Sequence, residues 1–117
     1  MITLQKLTEN DLDLICKVIR HHKSVLELHK TKTNNMQTLI NLSISKNLMK
    51  QVIKKAIGLA SNKVTSFSLE EHHALVLVSA ISNYIHFDTP EVKMQLNRIQ
   101  LEIINQLEPF TYEEVVA

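Results

Sequence analysis

Residues 68–107 read SLEEHHALVLVSAISNYIHFDTPEVKMQLNRIQLEIINQL, and the fold of this chain is decided in that stretch. Ser68-Leu69-Glu70-Glu71 has the pattern of a capping box, in which a serine hydroxyl accepts the amide three residues on and the glutamate reaches back. Leu69, Val76, Leu77, Ala80, Ile81 and Tyr84 then recur at helical spacing, with Val78 and Ile85 at the margin. They predict a helix over 69–86 with a wide apolar face, suited to the centre of the domain. Asp88-Thr89-Pro90-Glu91 marks the next start, because proline at a first helical position lacks an amide that would have no partner there. In that fourth helix Val92, Leu96, Ile99, Ile103 and Leu107 form one apolar seam. Pro109 is expected to stop it, which predicts a helix over 90–107 and a tail, 108–117, that is loose or a short helix. With so short a link, the third and fourth helices should form an antiparallel hairpin.

Toward the N-terminus, Leu12, Ile15, Val18, Ile19, Val25 and Leu26 predict a helix over about 9–30. It starts at Thr8 or Asn10, and Asp11 and Asp13 lie in its first turn, where the helix dipole favours negative charge. The polar run Thr31-Lys32-Thr33-Asn34-Asn35 reads as a connection. A second helix over 36–61 carries the stripe Leu48, Met49, Val52, Ile53, Ala56, Leu59 and Ala60. Around 38–44 the pattern alternates and would also suit a strand; helix is favoured because a lone strand has no evident partner. Lys63 to Phe67 reads as another connection. Four helices with short links give an all-α, four-helix bundle-like single domain over 1–117.

Composition points the same way. One glycine and two prolines are too few for the tight turns of a sandwich or barrel, and a glycine-rich phosphate loop is excluded. Apolar residues make up 44% of the chain and aromatics only 4%, so the core must be aliphatic. Cys16 is the single cysteine, which rules out an internal disulfide and suits a reducing compartment. No apolar run approaches the roughly 18 residues of a membrane span, and Met1–Lys6 lacks signal-peptide character. A cytoplasmic protein with no cofactor is expected, and its lysine- and asparagine-rich, glycine-poor composition suits a bacterial or phage source.

The net charge of +1 hides a division. Through Lys63 there are 11 basic and 4 acidic residues, a balance of +7; from Val64 onward there are 2 basic and 8 acidic, a balance of −6. Complementary packing of the two halves is one reading. The other is that Lys46, Lys50, Lys54, Lys55 and Lys63 present a face to nucleic acid or an acidic protein. Against nucleic acid, that face carries no aromatic for base stacking and no arginine.

Six histidines are many for this length. His21, His72 and His86 fall on polar faces and read as solvated. His22 and His29 lie on the apolar stripe of the first helix, and Glu70 and His73 form a Glu-x-x-His pair on the third. Together they could hold zinc or iron, since carboxylate-bridged metal bundles present such pairs. The pattern is half of that motif, so the expectation is no metal, with His22, His29, Glu70 and His73 as weak candidates. Cys16 is too far from a histidine on its own helix to form a thiolate–imidazole pair, and no serine lies in a nucleophile elbow.

Met94, Leu101 and Ile104 lie on a different side of the fourth helix from its core seam. They are read as an exposed strip that meets a second copy or another protein. The expectation is a non-catalytic interaction module (a regulator, adaptor or inhibitor), acting as a homodimer. A phosphate-contacting nucleic-acid protein is the first alternative and a metal-binding bundle the second.

Overall fold

The computed structural model describes residues 2–32, 36–59, 63–84 and 89–116, excepting the side chains of 29–32 and 108–116. In chain order the elements are β1 (Ile2–Leu7), α1 (Glu9–Lys32), α2 (Met36–Ile57), β2 (Thr65–Leu69), α3 (Glu71–Tyr84) and α4 (Pro90–Val116). The fold is a mostly helical bundle, as expected, with an unforeseen addition: β1 and β2 pair as a two-stranded antiparallel sheet. All six elements share one core, which contains Leu4, Ile15, Leu48, Leu69, Leu77 and Ile99 among others.

The alternative of a strand over 38–44 does not arise, because α2 is continuous from Met36. Leu39 and Ile40 do point away from the core stripe, and the first half of the helix buries Leu42 and Ser45 instead. Ser45 is tolerated there because its hydroxyl donates to the Asn41 carbonyl one turn back (2.7 Å).

β1 departs from regular pleating. Ile2 pairs with Leu69, Thr3 with Ser68, Leu4 with Phe67 and Leu7 with Thr65, so Gln5 and Lys6 oppose the single residue Ser66. Such a bulge shifts the side-chain phase by one. Leu4 and Leu7, three apart, would otherwise face opposite ways, yet both are buried with Ile2. The bulge places Lys6 at φ 55°, a left-handed conformation that costs a non-glycine residue about 1–2 kcal/mol. Burial of both leucines offsets that cost.

The sheet alters the reading of residues 68–71. Ser68 lies in β2 with its hydroxyl against that of Thr3 (3.2 Å), and α3 begins at Glu71, not at 69. The capping box expected there is not formed. An equivalent arrangement opens α1: the Thr8 amide donates to Asp11 Oδ2 (2.9 Å), and the Asp11 amide donates to Thr8 Oγ1 (3.2 Å).

α4 also runs past its expected end, through Pro109 to Val116. An interior proline removes one amide donor and crowds the carbonyl four residues earlier, a local cost that can kink a helix without ending it. The 108–117 tail is thus helical in backbone as far as Val116.

Two sets of side chains fasten α4 to the N-terminal segment. Gln95 Nε2 and Arg98 Nη2 both donate to Asp11 Oδ1, the latter at 3.1 Å. Further along, Gln106 Nε2 donates to the Thr3 carbonyl and its Oε1 accepts the Thr3 amide, each at 2.9 Å. The Gln5 amide donates to Glu102 Oε1 at 2.9 Å. The edge of β1 that faces away from β2 is therefore capped by helix side chains.

Burial alone would raise the Asp11 carboxyl, but the Thr8 amide and hydroxyl, Gln95 and Arg98 together hold it below its usual range. A depressed carboxyl stabilises the fold above the unfolded value, near 3.9, and that contribution is lost as pH falls through the lower folded value. Replacing Asp11 with alanine should lower the unfolding free energy by about 2–3 kcal/mol at pH 7. In urea titrations the gap between the two proteins should narrow below about pH 4. Gln106→Ala should accelerate hydrogen exchange of the Thr3 amide at least tenfold, while the amide of Leu77 in α3 exchanges as before.

Candidate functional site

α4 divides into three stripes. Leu96, Ile99 and Ile103 are fully buried in the core. Gln95, Arg98, Glu102 and Gln106 form a polar stripe beside them, occupied by Asp11 and β1. On the remaining side Met94 is 73% exposed, Leu101 56% and Ile104 36%. Asn97 and Asn105 complete that side; Arg98, one turn from both Met94 and Leu101 and with its side chain 60% exposed, borders it while its guanidinium pairs with Asp11.

α2 presents a different surface. Lys46, Lys50 and Lys54 are exposed one turn apart on one ridge, with Lys55 exposed to the side. Exposed Ile53 and Ile57 lie within the same outward face, which is thus mixed rather than purely cationic. Lys54 and Lys55 line a shallow groove of about 520 Å³ with Gln51, Ser66, Phe67 and Ser68. Lys63 does not join them; it lines a separate depression of about 440 Å³ with Thr8, Glu9, Asn10 and Val64. Lys46, Lys50, Lys54 and Lys55 thus share α2, and Lys63 lines a different depression.

The histidines also regroup. His22 is buried within the core side of α1, and burial, then neighbouring His21, lowers its pKa. His21 is half-buried and packs edge-on against Tyr84, with centroids 5.4 Å apart, so it is not the solvated residue its wheel position suggested. The side chain of His29, and all of His86, lie outside the described residues. Glu70 and His73 do come together, but their neighbour is His72, not His22. His72 Nδ1 lies 3.5 Å from Glu70 Oε2, and the His72 and His73 rings are 4.2 Å apart at 42°.

Sequence reasoning set His72 aside as a solvated residue on a polar face of the third helix, and it is indeed exposed. With α3 starting at Glu71, Glu70 precedes the helix: its carbonyl accepts the Ala74 amide (3.0 Å), while its side chain is free to fold toward residue 72. The late start was legible only through the pairing of β2.

Cys16 is half-buried and lines a depression of about 490 Å³ between α1 and α4, together with Asp13, Lys17, Arg20, Val92 and Gln95. Burial and then the Asp13 carboxylate raise its thiol, with Arg20 only partly opposing them, so the sulfur is protonated and a weak nucleophile at neutral pH. Among the described residues no helix is long and apolar enough to cross a membrane. No protein-family model, curated protein or solved structure matches the chain.

Alkylation of Cys16 by iodoacetamide at pH 7.5 should run at least several-fold slower than that of an unstructured cysteine peptide. Asp13→Asn should narrow the difference by removing one of the two contributions that raise the thiol.

Proposed function

We propose that this chain is a non-catalytic helical interaction module that self-associates through the outer side of α4. The observation that carries this reading is the uncharged, apolar stripe of Met94, Leu101 and Ile104, left outward because the other two sides of the helix are already engaged. A two-fold contact brings the same patch of each copy together, which penalises any patch bearing one sign of charge. The apolar stripe itself has none, and Arg98 at its border is paired with Asp11. Asn97 and Asn105 at its borders both donate and accept, so each can bond its counterpart across a two-fold axis.

The area limits the strength. Residues 94–104 span about 15 Å of helix, well short of the roughly 800 Å² per partner of a standard interface unless neighbouring surface contributes. Association in the micromolar range follows, of the kind suited to a regulator or adaptor that forms and dissolves its contacts. The Lys46–Lys50–Lys54 ridge lies on another helix and remains open to an acidic partner in such a dimer.

At about 100 µM the protein should sediment largely as a dimer and, on dilution to 1 µM, as a monomer. Met94→Glu with Leu101→Glu should give a folded monomer at both concentrations, since both side chains are exposed. A wild-type protein that is monomeric at 100 µM, or an unchanged sedimentation coefficient in the double variant, overturns the assignment.

A further inference from the structure

The junction between β2 and α3 holds a group of side chains that self-association does not use. One carboxylate oxygen of Glu70 and one ring nitrogen each of His72 and His73 lie within 4.8 Å of one another. Glu70 and His72 are exposed, whereas His73 is 4% exposed. Nδ1 of His73 is buried and has no hydrogen-bond partner among the described residues. A buried polar nitrogen without a partner costs about 1–3 kcal/mol; His22 Nδ1 is in the same position, but only His73 stands beside a second imidazole and a carboxylate.

From this grouping we infer a divalent transition-metal site, with Zn²⁺ as its ligand, formed by Glu70, His72 and His73. Two imidazoles and one carboxylate are a donor set that zinc accepts, and harder cations such as Mg²⁺ prefer oxygen alone. Zinc–ligand bonds of about 2.0–2.1 Å set tetrahedral ligand atoms about 3.4 Å apart. The His72–Glu70 separation of 3.5 Å already matches one edge of that tetrahedron. The widest separation in the group must close by at most about 1.4 Å, which the exposed side chains of Glu70 and His72 can supply by rotation while buried His73 stays fixed. Three protein ligands leave a fourth position for water.

The N-terminus of α3 opposes a cation through its dipole, an effect of about 0.3–1 kcal/mol at the surface. Glu70 and Glu71 place two carboxylates at that same end and offset it. The grouping is also local: its members span four consecutive residues, so the site persists whether or not α4 engages a second copy.

Isothermal titration of untagged, chelator-treated protein with ZnCl₂ should show one saturable site per chain. Glu70→Gln and His72→Ala, both at exposed positions, should each weaken binding at least tenfold without altering the circular dichroism spectrum. His21→Ala, outside the group, should bind as the wild type does. In proton NMR, Zn²⁺ should shift the His72 and His73 ring signals and leave that of His22 in place. No saturable heat up to about 200 µM Zn²⁺, a stoichiometry of one ion per two chains, or undiminished binding by His72→Ala would each overturn the site. Dimerisation through α4 is tested by Met94 and Leu101, so either proposal can fail alone.

Discussion

The paired hydrogen bonds between Gln106 and the backbone of Thr3 are the constraint on which the rest of this structure hangs. A two-stranded sheet is marginal by itself, and β1 and β2 are joined by no hairpin; more than fifty residues separate them. An exposed strand edge also invites pairing with foreign chains. Here the Thr3 amide and carbonyl meet one side-chain amide that both donates and accepts, and the Gln5 amide meets Glu102. The edge is closed by a helix acting in the place of a third strand.

That closure sets the rotation of α4. With Glu102 and Gln106 on β1 and with Gln95 and Arg98 on the buried carboxylate of Asp11, the helix has no freedom to turn about its axis. Its aliphatic seam then falls on the core, and Met94, Leu101 and Ile104 fall outside. Asp11 is the one buried carboxylate among the described residues, and it is held ionised by the cap of α1 and by the partners from α4. Removing a charge from water is costly unless each oxygen is bonded, and both of its oxygens are. The proposed interaction surface is thus a by-product of how the N-terminal segment is tied down.

The same sheet that seats α4 also delays α3. Because Ser66 to Leu69 are taken up in β2, the helix begins late and Glu70 is left at the junction beside His72 and His73. Buried His73 has its pKa lowered by burial first and by His72 next, with Glu70 acting the other way. Two imidazoles and a carboxylate thus meet at the surface end of an otherwise aliphatic core.

Much of the architecture follows from the chain read residue by residue. Helical spacing of aliphatic residues, Pro90 at a helix start and the near absence of glycine specify four amphipathic helices, because a 3.6-residue period needs only local neighbours to be recognised. The seam Leu96-Ile99-Ile103 and the outward side of Met94 and Leu101 are legible for the same reason. The sheet is not: β1 carries a bulge that breaks the two-residue alternation between Leu4 and Leu7, and its partner lies far along the chain. Pairing between distant segments leaves no periodic trace in either one. From that pairing come the late start of α3, the separation of Lys63 from the α2 lysines and the company that His72 keeps. Local repetition determined which segments coil; only the long-range hydrogen bonding of β1, to β2 on one side and α4 on the other, decided how they face one another.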